Sequence, residues 1–461
     1  MAAENPLFPD PIPGPVPDIK IEPPGPRSRE ILARQEKLFY PGQTHGLAPF
    51  IVKRKIGYTV EDIDGNVYLD LVSASGSVPL GSARSDITEK TVEVLRKFGN
   101  EDSHALASEY MLPLAEKLLE IVPSNLTRVD IALNGTEAVE TAIRFMRRYT
   151  GRSVIIGFYG GYHGESTATA SLGAEAAYVS HGLRSIIPGF IHVPYPHAYR
   201  SPLGPPRPGG SGDSTVDFIR DYVLFHSVRP EEVAGVIIEP IIGAGGCITP
   251  PDSFWPALTD LCRENGWLLC ADEVKTGFGR SGKMFAVEHW GIQPDLMCLG
   301  KGLGGGVMPI GALLGTEAVM GSFEDISTGS TWSWLPASCA AAIACIDFFQ
   351  NEAVLDNVLA LEAAGRRTLG TLPERYEVVG DVRIKGCFMG VEFVKDRRTK
   401  ERAVDFQEAV AGECIRRGIF GDSSSTSYNI QPSLITPVEV FERGAALFEE
   451  AIQAVLKADV L

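Results

Sequence analysis

Basic residues are scarce in this chain of 461 residues: 42 Lys and Arg stand against 58 Asp and Glu, so the formal net charge is -16. Nucleic-acid binding needs clustered Lys and Arg at the phosphates, and no basic stripe is present. Long hydrophobic runs are also missing, because the longest apolar stretches have the length of a strand and a bilayer crossing needs about 18 residues or more. We therefore expect a soluble protein with neither a nucleic-acid partner nor a membrane segment.

Paired cysteines are missing as well. The eight cysteines stand singly, mostly inside apolar patterns such as those around Cys270, Cys298 and Cys345, without a Cys-x-x-Cys pair. This spacing is not that of a zinc site or a disulfide framework, so we predict no metal site. Single cysteines in apolar patterns are typical of a reducing compartment, which predicts a cytoplasmic protein.

The N-terminus lacks the continuous apolar core of a signal peptide, and nine prolines lie within its first 27 residues. Proline fixes φ and cannot donate a helical hydrogen bond. We predict an extended arm over residues 1–30.

Strand and helix patterns alternate from Ser85 onward, which predicts an α/β fold with a mostly parallel central sheet covered by helices. A hairpin with the turn Asp64-Gly65-Asn66 precedes this region. After Leu335 come an Ala-rich helix, short strands and a terminal helix. We predict a large domain over residues 86–335 and a smaller α+β domain built from residues 31–85 and 336–461. The candidate strands of the large domain are residues 129–133, 153–158, 235–239 and 267–272.

Two residues with suitable chemistry close two apolar strands. Asp272 ends the strand L-L-C-A-D, and Lys301 follows the strand L-M-C-L, 29 residues later, beside a glycine run. In an open α/β sheet these strand ends face the crevice where ligands bind. Pyridoxal phosphate acts as an electron sink when its ring nitrogen stays protonated and a lysine holds its aldehyde as an imine. Asp272 is suited to the first task, and a partly desolvated Lys301 to the second.

The segment from D-E-V-K-T-G-F-G-R to L-M-C-L-G-K-G-L-G-G-G resembles the signature of class III pyridoxal-phosphate aminotransferases. This subgroup of fold type I includes ω-amino acid and amine transaminases, and further matches extend over most of the chain from about Gly57. The resemblance implies that the large domain binds the cofactor. It also implies Lys301 as the cofactor-bound lysine, Asp272 as the partner of the ring nitrogen, and Val274 as a side chain packed on the ring.

Two glycine-containing segments bear on the cofactor. Leu133-Asn134-Gly135-Thr136 follows a strand and opens a helix, so the N–H groups of Gly135 and Thr136 can point at a phosphate. This segment and the residues after it resemble the family motif S-G-T-E-A-N-E. The segment F-Y-G-G-Y-H-G also resembles the family, which implies that Tyr162 stacks on the pyridine ring with His163 behind it.

Thr331 occupies the place where relatives offer a hydroxyl to the phosphate of a neighbouring subunit. This implies a homodimer or a dimer of dimers. The surrounding T-G-S-T-W-S-W-L-P departs from the usual H-G-x-T-F-x-G-N-P.

The substrate side of the site departs from the family pattern. Many relatives pair a glutamate with a mobile arginine; Glu239 is present here, but Asn429 stands at the matching place of the arginine. Lys275 replaces the usual glutamine. We hypothesise that Lys275 lies within salt-bridge reach of Glu239 or of the cofactor's phenolic oxygen. The alternative is that Lys275 extends into solvent.

Three functions remain open. The resemblance favours a transaminase that uses Lys301 to move an amino group between an amine or ω/β-amino acid and a keto acid. The alternative is an amino acid or amino-lactam racemase or epimerase, because lactam racemases also read D-E-V-K and resemble residues 193–200. Those racemases carry an acidic residue where this chain has Ala244. A pyridoxal-binding protein without activity is disfavoured by the joint presence of Lys301, Asp272 and Tyr162.

Overall fold

The computed structural model describes residues 11–41, 48–99, 105–175, 187–325, 328–424 and 426–458. The described residues form two compact units, a first unit within Met1–Ser85 and Glu352–Leu461 and a second unit within Asp86–Asn351.

The strands, in chain order, are β1 (Val52–Ile56), β2 (Thr59–Asp62), β3 (Val67–Asp70), β4 (Arg128–Ala132), β5 (Val154–Phe158), β6 (Phe190–Val193), β7 (Val233–Ile238), β8 (Leu268–Asp272), β9 (Leu296–Leu299), β10 (Gly311–Gly315), β11 (Val379–Lys385), β12 (Phe388–Asp396), β13 (Glu401–Arg402), β14 (Ile419–Phe420), β15 (Asp422–Ser423) and β16 (Tyr428–Ile430). The longer α-helices are Pro26–Leu38, Ser85–Phe98, Met111–Ile121, Gly135–Thr150, Thr167–Leu172, Ser214–Phe218, Phe254–Asn265, Pro336–Asn351, Val354–Thr368, Val404–Arg416 and Val438–Lys457. Short helical turns occupy Ser73–Gly76, Ile219–Val223, Leu224–His226, Pro230–Glu232, Ala286–His289, Lys301–Gly304, Glu317–Met320 and Leu372–Arg375.

The second unit contains a seven-stranded sheet with the order β4-β10-β9-β8-β7-β5-β6. β10 is antiparallel to its neighbours β4 and β9, and the other adjacent pairs are parallel. The predicted mostly parallel sheet is therefore confirmed, and the four candidate strands correspond to β4, β5, β7 and β8. The strands β7, β8 and β9 are buried along their whole length, which explains their continuous apolar runs.

The helix Gly135–Thr150 packs on one face of this sheet. Its buried residues Val139, Ile143 and Met146 join a core cluster with Cys270 and Cys298 of β8 and β9. The sulfur atoms of these two cysteines are 3.8 Å apart, so they are neighbours without a disulfide.

The helix Pro336–Asn351 belongs to the second unit. The sequence pattern predicted this helix as part of the smaller domain, so the predicted boundary after residue 335 differs from that of the structure. The reason is packing: Lys117 pairs with Asp347 at 2.6 Å, and the Cys345 thiol donates to the carbonyl oxygen of Gly302 at 3.4 Å.

The first unit contains the predicted hairpin. β2 and β3 are antiparallel, and the carboxylate of Asp62 closes the turn by accepting the N–H of Asn66 at 2.9 Å. The described part of the arm pairs with this hairpin, because Asp18 and Val67 exchange main-chain hydrogen bonds of 2.8 and 2.9 Å. A helix begins at Pro26, before the predicted end of the arm at residue 30; the first ten residues lie outside the described residues.

A second sheet of the first unit has the order β11-β12-β16-β15, with β13 beside β12. Within the described residues, no single helix combines the length and the hydropathy that a membrane crossing needs.

Candidate active site

The predicted site residues of the second unit lie where neighbouring parallel strands end. Asp272 is the last residue of β8, Glu239 follows β7 directly, and Lys301 follows β9 by two residues. Tyr162 and His163 come four and five residues after the end of β5. Because β9, β8, β7 and β5 are consecutive in the sheet, these side chains converge at one edge.

Asp272 is held from two sides. Its Oδ2 lies 2.7 Å from Nδ1 of His163, and its Oδ1 accepts the N–H of Val274 at 3.1 Å. Burial by itself lowers the pKa of His163, but the hydrogen bond to Asp272 and the charge of Asp272 raise it overall. The pair therefore keeps a proton on the imidazole beside the carboxylate and fixes the carboxylate's orientation.

Lys301 has a strained backbone conformation and an amine of lowered pKa. Its φ of 39° lies in the left-handed region, which costs a residue other than glycine about 1–2 kcal/mol. Such strain is concentrated at functional sites. Burial, followed by the like charge of Lys275, lowers the pKa of Lys301 to about 8 against the opposing charges of Asp272 and Glu239. The amine is therefore able to lose its proton close to neutral pH and to act as a nucleophile or base.

Tyr162 and Glu239 are linked through the backbone. The N–H of Tyr162 donates to Oε1 of Glu239 at 2.9 Å, and the N–H of Gly243 donates to Oε2 at 3.0 Å. The ring of Tyr162 is 5.9 Å from Nζ of Lys301. Burial raises the pKa of Glu239, while the charges of His163 and Lys275 and the Tyr162 N–H oppose this rise.

Lys275 lies beside this glutamate. It is only 9 % exposed, which contradicts the alternative that it extends into solvent. The direct salt bridge of our hypothesis is not formed either: among the described residues, no ion pair joins Lys275 to Glu239, whose two oxygens accept main-chain N–H groups. Asn429 belongs to β16 of the first unit, where its Oδ1 accepts the hydroxyl of Ser427 at 2.8 Å.

The start of the helix Gly135–Thr150 lies against Val274 and Gly164. Asn134 caps the helix by accepting the N–H of Glu137 at 3.0 Å. A Cβ atom at Gly135 would lie 2.6 Å from Cγ1 of Val274, and one at Gly164 would lie 2.4 Å from Oγ1 of Thr136. These approaches require glycine, and Gly164 also has a φ of 121°.

The residues that converge here fit pyridoxal phosphate. The helix start at Gly135 and Thr136 provides main-chain N–H groups and a positive dipole end for a phosphate. Asp272 is suited to a protonated pyridine nitrogen, and the buried amine of Lys301 to an aldehyde.

Thr331 is exposed, and no described contact joins it to the other candidate residues. Its segment is attached to the start of the helix Gly135–Thr150, because the hydroxyl of Ser333 donates to Glu137 at 2.8 Å.

Two supporting residues were not predicted from the sequence. The hydroxyl of Tyr195 donates to the carbonyl oxygen of Pro240 at 3.0 Å, which anchors the segment that carries Glu239. Glu273 is completely buried and accepts the Thr276 hydroxyl and the N–H of Val287, the latter at 2.8 Å. Burial raises the pKa of Glu273 to about 7. The motif V-P-Y-P around Tyr195 was the available signal, but its role depends on packing between distant segments.

A family model, "Aminotransferase class-III", matches residues 40–452. The chain belongs to the class III aminotransferases. Its cofactor is pyridoxal phosphate, and the predicted fold type I is confirmed. This class III aminotransferase is 30 % identical to the 5-aminovalerate aminotransferase of Pseudomonas aeruginosa, over 92 % of this chain and 98 % of the relative.

Two further similarities bear on its chemistry. The alanine/serine racemase of Pyrococcus horikoshii is 32 % identical over 96 % of this chain and 94 % of the relative. A solved, pyridoxal-phosphate-bound amine transaminase from an uncultivated Pseudomonas species is 30 % identical. That structure matches with a TM-score of 0.82 and covers 91 % of this chain and 98 % of its own.

Proposed function

We propose that this class III aminotransferase moves an amino group between an amine or ω/β-amino acid and a keto acid, with Lys301 as the residue that carries the cofactor. The observation that supports this role most directly is the buried amine of Lys301, whose pKa is lowered to about 8. The similarity to a 5-aminovalerate aminotransferase and to an amine transaminase supports the substrate classes.

The other residues hold the cofactor in this proposal. Gly135 and Thr136 bind its phosphate through the helix start, and Tyr162 and Val274 enclose its ring. Asp272, oriented by His163, binds the ring nitrogen.

When bound, pyridoxal phosphate supplies an electron sink for bond breaking at the carbon that carries the substrate's amine. Lys301 would take the proton from that carbon and deliver it to the carbon of the cofactor that carried the aldehyde, and a lysine with a pKa of about 8 is able to do both near neutral pH. Only one base is needed for this transfer.

The experiment offers a panel of amines and ω-, β- and α-amino acids together with a keto acid. We expect chromatography to show the amino group on the keto acid, and Lys301→Ala to abolish the transfer. Lys283→Ala is the matched control, because Lys283 is an exposed lysine in the segment between β8 and β9. Equal transfer by Lys301→Ala and the native enzyme contradicts the proposal.

The similarity to an alanine/serine racemase makes racemisation a second candidate. Racemisation needs a second acid or base on the opposite face of the ring. The lactam racemases that this chain resembles carry an acidic residue at the place of Ala244, and this buried alanine cannot exchange a proton. We therefore favour transamination. Single enantiomers incubated in D₂O without a keto acid separate the two: loss of optical rotation with deuterium uptake identifies a racemase.

We further propose a cytoplasmic homodimer or dimer of dimers, with Thr331 contributing its hydroxyl to the phosphate in the neighbouring subunit. The exposure of Thr331 supports its contact with a neighbouring subunit. The eight free, buried cysteines support a cytoplasmic, reducing location. Light scattering should give a mass of two or four chains, and Thr331→Val should weaken cofactor binding while Thr331→Ser retains it. A monomer with full cofactor affinity contradicts the assembly.

A further inference from the structure

Lys275 and Glu239 lie on either side of the bare Cα of Gly243. A Cβ atom at Gly243 would lie 2.4 Å from Cδ and 3.2 Å from Cε of Lys275, and 3.1 Å from Oε2 of Glu239. The stem of Lys275 therefore passes through the space that any larger residue at position 243 would fill. This route brings a buried lysine alongside a buried carboxylate.

Both groups need a charged neighbour. Glu239 is 3 % exposed, and its two main-chain donors, Tyr162 and Gly243, are neutral. Lys275 is 9 % exposed, and lysines are rarely buried without a partner of opposite charge. Their proximity, without a direct ion pair, therefore adds to the compensation that the charge of His163 gives Glu239, and it offsets part of the cost of burying Lys275.

The same cluster includes Lys301. The charged groups that act on its amine are Lys275, Asp272 and Glu239, with His163 hydrogen-bonded to Asp272. Lys275 is the one that repels a proton there, while the two carboxylates attract it. Removing the charge of Lys275 therefore shifts the balance at Lys301 toward the protonated form.

We propose that Lys275 is a positioning residue that sets the charge of this site: together with His163 it opposes the protonation of Glu239, and it favours the neutral form of the nitrogen at Lys301. The proposal rests on the proposed role of Lys301 and deepens it. It gives a function to a lysine that replaces glutamine, and it gives a reason for glycine at position 243.

The test titrates the cofactor's absorbance with pH in the holoenzyme and compares the native protein with Lys275→Gln and Lys275→Arg. Because Lys275→Gln removes a like charge, the nitrogen at Lys301 should hold its proton longer, and the midpoint should rise by about one pH unit. Lys275→Arg keeps the charge, so its midpoint should stay closer to the native value. Gly243→Ala displaces the stem of Lys275 and should raise the midpoint by a smaller amount.

Two results overturn the inference: an unchanged midpoint in Lys275→Gln, or an equal shift in Lys275→Gln and Lys275→Arg. The second would indicate a role of shape alone. If Lys275→Gln does not fold, the difference between Gly243→Ala and the native protein decides. Failure of the proposed function is distinguishable: a protein without the cofactor at Lys301 shows no titration of this kind, and a racemase keeps the titration but transfers no amino group to a keto acid.

Discussion

Nδ1 of His163 lies 2.7 Å from Oδ2 of Asp272, and both side chains are almost completely buried. The partners are 109 residues apart in the chain: Asp272 ends β8, and His163 follows the end of β5 by five residues. The imidazole thus compensates and orients the carboxylate that we assign to the ring nitrogen of the cofactor.

His163→Ala should weaken cofactor binding, because Asp272 would lose the donor that fixes its orientation. A hydrogen bond to a charged group contributes about 1.5–3 kcal/mol, so we expect affinity to fall by roughly 10- to 100-fold. Equilibrium dialysis with pyridoxal phosphate measures the change. His163→Asn, which keeps a side-chain donor, should lose less, and His226→Ala, at an exposed histidine, should be unchanged. Native affinity in His163→Ala would contradict the assigned role.

Stability of the cofactor-free protein should depend on pH through Lys301. Its folded pKa of about 8 lies below the ordinary 10.5, so the unfolded chain binds more protons between these values. Stability therefore rises as pH increases from about 8 to 10.5, and the cost of the buried amine is fully present below pH 8. Urea unfolding should show that Lys301→Met has the higher free energy of unfolding at pH 8, and that its difference from the native protein decreases over this range. A constant difference would contradict a buried amine of lowered pKa.

Through Glu273, stability should change with pH in the opposite direction, at lower pH values. Its folded pKa of about 7 exceeds the ordinary 4.5, so its contribution to stability is present below pH 4.5 and is lost as pH rises through 7. Glu273→Gln imitates the protonated acid. The free energy of unfolding of this variant, relative to that of the native protein, should therefore be higher at pH 8 than at pH 5. Thermal unfolding at the two pH values measures this. Glu288→Gln, at an exposed glutamate of the same segment, provides the comparison.

The residues at the ends of the buried strands were predictable from sequence, but the side chains that contact these residues were not. Continuous apolar runs locate β8 and β9, and therefore Asp272 and Lys301, because parallel strands buried on both faces leave no other pattern. The bond between Asp272 and His163 depends on strand order in the sheet. The closeness of Lys275 to Gly243 depends on how two loops pack, and no local pattern encodes it.

The boundary after residue 335 was misplaced for a related reason. Twelve of the sixteen residues of the helix Pro336–Asn351 are buried, including Ala337, Cys345 and Phe349. A helix that is apolar on all sides has no polar face to indicate which unit it covers.

Gly164→Ala should lower the affinity for the cofactor in addition to lowering the stability of the fold. The added Cβ would meet Oγ1 of Thr136 at 2.4 Å and displace the helix start that we assign to the phosphate. Gly151→Ala is a matched control: its φ of 67° is also positive, but a Cβ there meets nothing within 4 Å. Both variants should lose about 1 kcal/mol or more of stability from backbone strain. Only Gly164→Ala should lose cofactor affinity, and equal affinities in the two variants would contradict the assignment.

The most direct measurement locates the cofactor on the chain. The holoenzyme is reduced with borohydride, digested, and analysed by mass spectrometry for the lysine that has gained the cofactor's mass. We predict a single modified lysine at Lys301, and no modified peptide from Lys301→Ala. Modification of another lysine in the native enzyme, or retention of covalent cofactor by Lys301→Ala, would contradict the account.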